Sequence, residues 1–152
     1  MQVYTVSFFG HRRIENSRHL ETQLEDIICR LLRENEFTEF LVGRDGDFDL
    51  LVSSVIRRIK KEHGFKNCAH VWIMPYMKKE YLNNKASYHA YYDEIEVCSE
   101  SSVSHFKKAY SIRNRCMIDR SDIIVIHAER TYGGAYETLK YAQKSSKKIL
   151  QI

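Results

Sequence analysis

The sequence predicts a three-layer α/β sandwich, a mostly parallel sheet of about five strands with helices on both faces. Three observations carry that expectation. Short β-rich apolar runs alternate with longer stretches of helical periodicity. Glycine or proline closes several of the runs, at Gly10, at Gly43 and at Pro75. The chain of 152 residues, 43% apolar and 29% charged, suits one domain with a proper core over residues 1–152.

The elements follow in order. Val3 to Phe9 (VYTVSFF) reads as the first strand, ended by Gly10. Ser17 is placed to cap a helix whose apolar stripe is Leu20, Leu24, Ile27, Ile28 and Leu31. Phe40 to Val42 is a short strand closed by GRDGDFD, in which Gly43 and Gly46 predict a turn and Asp47 or Asp49 a helix cap. The next helix carries Phe48, Val52, Val55 and Ile59 on one side, and Ala69 to Met74 is the third strand. Residues 77 to 103, rich in Tyr, Asn and Ser, read as a lid or insertion with a short strand at Glu94 to Cys98. A helix capped by Ser104 follows, with Phe106, Ala109, Tyr110 and Met117 on its inner face, then a strand at Ile123 to His127. A helix opening at Gly133 and a last strand at Lys148 to Ile152 complete the chain.

One residue breaks the pattern. At about 100° per residue, Arg113 falls in the centre of the inner stripe of its helix. A guanidinium there is costly unless it is paired or faces a polar cleft. Its expected partner is therefore a phosphate or an acidic side chain lining such a cleft.

Composition narrows the function classes. A net charge of +4 is a mild basic bias, and runs such as Arg57-Arg58-Ile59-Lys60-Lys61 read as a solvated helix face, which argues against nucleic acid as a partner. Cys29, Cys68, Cys98 and Cys116 show no zinc-like spacing; with Cys29 and Cys68 in apolar runs, they read as the reduced thiols of a cytoplasmic protein. No apolar stretch approaches the roughly 18 residues that span a bilayer, and the N-terminus opens directly on a strand, so no membrane association is expected.

In parallel sheets ligands bind beyond the carboxyl ends of the strands. That rule selects three loops: FGHRR, GRDGDFD and AERTYGG. Gly133 and Gly134, opening a helix after a buried strand, leave backbone N–H groups and the helix dipole free for a phosphate. Gly10, His11 and Arg12 place a ribose hydrogen-bonder and a phosphate partner at the end of the first strand. Asp45, beside Gly43, is placed to contact a ribose; the loop lacks the distal Glu of a calcium site, and no metal is expected. Nucleophile elbows, HExxH and P-loop motifs are absent.

Taken together, FFGHRR, VGRDGDFD, WIMPY, RNRCM with Ser121-Asp122, and GGAYETLKYA occur in an order that resembles the SLOG superfamily of Rossmann-like proteins. That superfamily joins cytokinin-activating LOG enzymes with the DprA/SMF proteins; the branch most resembled is the YpsA-like group of small bacterial and phage proteins. The resemblance covers nearly the whole chain except residues 77 to 103. It implies a Rossmann-like fold and a nucleotide, NAD or ADP-ribose type of ligand over the glycine-rich helix terminus. It implies a homodimer as well. Arg113, Met117, Ser121 and Asp122 keep the first part of the LOG pattern. In the second part Lys140 stands at the position of the catalytic Glu, and lysine cannot stabilise an oxocarbenium-like centre as a carboxylate does. Glu137, one turn earlier, is the candidate substitute.

The reading that results is a binder or sensor of a nucleotide-derived small molecule, held by Gly10, His11, Arg12, Gly43, Asp45, Arg113, Gly133 and Gly134. An N-glycoside hydrolase of nucleotides using Glu137, and a DprA-like binder of single-stranded DNA, are the alternatives.

Overall fold

The computed structural model describes residues 1–152. The sheet is entirely parallel and holds six strands: β1 (Val3–Gly10), β2 (Phe37–Val42), β3 (Cys68–Met74), β4 (Glu94–Val97), β5 (Ile123–His127) and β6 (Lys148–Gln151), in the order β4-β3-β2-β1-β5-β6. The expectation of about five strands therefore gains an edge strand. β4 is the short strand expected inside the Tyr-rich segment, and it pairs with β3 from Val71↔Glu94 to Met74↔Val97.

Alternation of side chains across each strand divides the core into two layers. Val6 and Phe8 of β1, Phe40 and Val42 of β2, and Trp72 and Met74 of β3 face α1 (Ser17–Glu34) and α2 (Asp47–His63), which supply Leu24, Ile28, Phe48, Val52 and Ile56. Phe9, Leu41, Val71, Ile73, Ile124 and Ile126 point the other way, against Met117 and Ile118 of α6 (Phe106–Arg120) and Leu139 and Ala142 of α7 (Gly134–Lys144). Each of the larger aliphatic and aromatic side chains among these contributes roughly 1.5–3 kcal/mol relative to exposure, so register is strongly specified.

Local expectations shift by a residue where backbone geometry competes with side-chain capping. Ser17 is the first residue of α1, preceded by Asn16 in the left-handed region at φ 50°. Asn tolerates that region because its short polar side chain can bond locally. His105 rather than Ser104 caps α6, its Nδ1 accepting from the Lys107 N–H. Phe106 leaves the expected inner stripe; it is 65% exposed and stacks on His105. Neither Asp47 nor Asp49 caps α2, because the Arg12 and His11 carbonyls take the Asp47 and Phe48 N–H groups at 2.8 and 3.4 Å.

The segment read as a lid folds as two short helices, α3 (Lys79–Asn83) and α4 (Lys85–Tyr91), followed by β4 and α5 (Ser99–Ser102). Tyr92 is buried, its ring 5.3 Å from Trp72 and 4.7 Å from His70, so the aromatic run is core packing. Arg44 stacks over Tyr88 at 4.9 Å and donates to the Tyr92 hydroxyl at 3.2 Å, and Arg57 lies over Tyr91 at 4.1 Å. No helix is long and apolar enough to cross a membrane.

The Ser-Asp pair before β5 has a structural task. Ser121 Oγ shares a 2.6 Å hydrogen bond with Ser7 Oγ, and Asp122 accepts from the Thr5 N–H at 2.7 Å while donating its own N–H back to Thr5 at 2.8 Å. These bonds fasten the α6–β5 junction to β1, at the amino end of the β1–β5 pairing.

His70 makes one pH dependence of stability testable. Burial among aromatic rings pushes its pKa down to about 3, and its Nδ1 has no hydrogen-bond partner. The unfolded chain takes up a proton near pH 6.5 that the folded chain refuses until about 3. Stability is therefore full above pH 6.5 and falls as pH drops towards about 3. Urea titrations from pH 7 to 4 should show this slope, and it should flatten in His70→Gln.

Candidate functional site

A cavity of about 700 Å³ opens at the carboxyl edge of the sheet where strand order reverses between β1 and β5. It is lined from β1 by Gly10, His11, Arg12 and Arg13, from the β2–α2 loop by Gly43, Asp45, Gly46 and Asp49, and from α6 by Tyr110, Arg113 and Asn114. Arg130, Tyr132, Gly133, Gly134 and Glu137 close the other side. All eight residues expected to bind ligand thus border one cleft, and so does Glu137.

Close approach of backbones builds the floor. A Cβ on Gly10 would lie 2.2 Å from the Phe48 ring, and one on Gly46 2.4 Å from Arg12 Cα. A Cβ on Gly43 would meet the Asp45 and Asp49 carboxylates, each at 2.9 Å. Gly43 therefore leaves room for two acidic side chains beneath the cleft.

Arg113 accounts for those acids. The residue is 3% exposed, and it donates from Nη2 to Asp45 Oδ2 at 2.6 Å, from Nη1 to the Ile73 carbonyl at 2.8 Å and from Nε to Asn114 Oδ1 at 2.9 Å. Its partner is an acidic side chain of the cleft. Lys78 approaches the other Asp45 oxygen at 3.6 Å. Burial opposes the charge on Lys78, but the Tyr110 hydroxyl and the Asp45 carboxylate outweigh it and raise its pKa. Asp49 accepts from the Asp45 N–H at 3.0 Å. Poor solvation, reinforced by the Asp45 carboxylate, pushes its pKa up to about 6, although Arg113 and Arg12 pull the other way. Sequence reading passed over Asp49 as a site residue, because nothing in GRDGDFD distinguishes the aspartate that turns inward.

His11 is buried, and its Nε2 accepts from the Glu129 N–H at 2.9 Å. Burial lowers its pKa, with Arg130 and His127 adding to the effect. The neutral ring therefore carries its proton on Nδ1 and ties the loop after β5 to the end of β1.

The two helix N-termini at the cleft differ. That of α2 is filled by carbonyls of the β1 loop, as described above. That of α7 has no side-chain cap, Gly133 sits at φ 90°, and a Cβ on either Gly133 or Gly134 would meet nothing within 4 Å. Its free N–H groups and dipole therefore face open space. Along the same cleft stand Arg12, Arg13, Lys107 and Arg130, and farther along α6 Arg115 over the Tyr141 ring, all exposed and none within ion-pair distance of a carboxylate. Glu137 is on the rim, 67% exposed in its side chain and 3.8 Å from Lys140. Glu39, Glu94 and Glu96 gather elsewhere on the sheet, where Arg120 already bridges Glu39 and Glu96.

Two outcomes are expected. Arg113→Ala strands a carboxylate and a carbonyl and should cost about 3–5 kcal/mol in denaturant unfolding, most of it recovered in an Arg113→Met, Asp45→Leu double variant. Asp49 keeps its proton up to about pH 6, so anion affinity should rise as pH falls through 6 and become insensitive to pH there in Asp49→Asn. Calorimetric titration with inorganic sulfate, which stays a dianion throughout, between pH 5 and 7.5 checks this.

No family model matches the chain, and no curated protein matches it. Among solved structures it is similar to DNA processing protein A from Helicobacter pylori, described for its unique single-stranded DNA binding mode, with a TM-score of 0.66 at 15% identity over 97% of this chain and 64% of that one. It is also similar to DNA processing protein A (DprA) from Streptococcus pneumoniae, with a TM-score of 0.67 at 15% identity over 97% of this chain and 50% of that one. The chain thus spans less than two thirds of either relative. The expectation that nucleic acid is not a partner is corrected by these neighbours, both of them DNA-processing proteins. A net charge of +4 does not exclude such a partner, because it averages the whole surface. The fold is the Rossmann-like α/β one that these two structures share.

Proposed function

We propose that the cleft binds the sugar-phosphate backbone of single-stranded DNA. The observation that carries this reading is the gathering of four unpaired cations, Arg12, Arg13, Lys107 and Arg130, along the cleft into which the N-terminus of α7 opens, with Tyr110 and Tyr132 beside them. A phosphate over Gly133 and Gly134 would meet free N–H groups, while Arg12, Arg13, Lys107 and Arg130 would neutralise its neighbours along a strand. Arg113 contributes by holding Asp45 down and away from the anion. The single-stranded DNA binding described for the H. pylori neighbour agrees with this reading.

A second reading keeps the same phosphate site but fills it with a free nucleotide-derived molecule, as the motif resemblance implies. The cavity volume favours it, since about 700 Å³ falls within the range of small-molecule sites. Placement in the YpsA-like branch belongs with this reading and rests on the motif order alone.

Fluorescence anisotropy with labelled oligothymidylate, competed by mononucleotides, NAD and ADP-ribose, separates the two. Strand binding predicts affinity that falls linearly in log–log form with salt, and weak competition by any single nucleotide. Full displacement by one small molecule at stoichiometric concentration would select the second reading. Gly134→Ala should weaken either ligand about tenfold while leaving the melting temperature unchanged or slightly raised, because its methyl group enters the anion's space without touching protein.

A further inference from the structure

The cleft does not end at the α7 terminus. Its lining continues outward between two helices, with Lys107, Ser111 and Arg115 on α6 and Glu137, Thr138 and Tyr141 on α7. The α6 residues stand four apart and so share one face, and those of α7 recur at three and four. The two stripes are the walls of a trough. Its floor is closed by Asn114, which donates to Thr138 Oγ1 at 3.3 Å, above the buried Met117, Ile118 and Ala142. From Lys107 to Arg115 the α6 wall runs about 12 Å at 1.5 Å per residue.

We infer that this trough is a second subsite for single-stranded DNA, taking the nucleotides that leave the phosphate site at Gly133 and Gly134. The inference rests on the strand-binding reading above. Charge and aromatic surface occur together there. Arg115 is exposed, has no carboxylate partner, and lies 5.1 Å over the Tyr141 ring. Tyr141 is held in place by its hydroxyl, which donates to Asp119 Oδ1 at 2.9 Å. Glu137, the one acid on the α7 wall, has Lys140 at 3.8 Å to offset it, and Lys140 lies 5.3 Å from the Tyr136 ring. A polyanion with flat bases fits such walls: guanidinium and ammonium groups neutralise phosphates, and a fixed ring gives a base a stacking face. An acidic peptide would use the charges but leave the fixed ring idle.

The test compares a labelled thymidine trinucleotide, which the phosphate site alone accommodates, with a twelve-nucleotide strand. Arg115→Ala should weaken the long strand roughly tenfold and lower its log–log salt slope by about 0.7, with the trinucleotide unaffected. Tyr141→Leu should do the same without changing the slope, and Tyr141→Phe, which keeps the ring, should retain most of the affinity. Circular dichroism melts confirm that each variant is folded. The trough is overturned if Arg115→Ala and folded Tyr141→Leu bind the long strand as the wild type does, while Gly134→Ala weakens both strands; the cleft assignment then survives. A wild-type chain that binds neither strand overturns both.

Discussion

The Arg113 guanidinium joins three parts of the chain, and Lys78 adds a second polar tie from the segment after β3 to Asp45 and to Tyr110 of α6. The guanidinium takes a carboxylate from the β2–α2 loop, a carbonyl from the end of β3 and an amide oxygen from its own helix. An uncompensated charge at that depth would not be tolerated, so the loop bearing Asp45 must fold under the helix rather than out into solvent. The position of that loop in turn requires Gly43, whose missing side chain leaves space for the Asp45 and Asp49 carboxylates. Gly10 and Gly46 extend the same logic, letting the β1 loop lie directly on the start of α2.

The consequence is electrostatic asymmetry across one cleft. On the floor, acids are matched by Arg113 and Lys78, and poor solvation raises the pKa of Asp49 to about 6. At the rim, cations have no partner. One helix terminus is closed by backbone carbonyls and the other is open. A ligand entering this field meets matched charge beneath it and unmatched positive charge around it. That distribution favours an extended polyanion over a compact neutral molecule.

Much of the fold was legible because strand and helix signals in this chain are local. Consecutive apolar residues such as IIVIH, and the stripes of α1 and α2, place elements through side-chain geometry that needs no tertiary information. The Tyr-rich segment was not legible in the same way. Its short helices are held by Trp72, His70 and two arginines from distant positions, so nothing within the segment announces them. Caps shifted for a related reason, since carbonyls of the β1 loop take the N–H groups that Asp47 or Asp49 would otherwise accept.

The site divides along the same line. The sequence by itself determined that glycine-rich turns follow buried parallel strands, and that an arginine sits on an inward helical face in need of a partner, because both follow from chain-local periodicity and the geometry of parallel sheets. Which partner Arg113 takes, which aspartate is poorly solvated, and which helix terminus stays open were decided only by tertiary structure. Those properties depend on distances between residues as far apart in the chain as Asp45 and Arg113, and on how much water the packing leaves around each. The overall charge of +4 is a sum over the sequence; the cationic rim is a matter of arrangement, and folding alone brings Arg12, Lys107, Arg115 and Arg130 to one edge of the sheet.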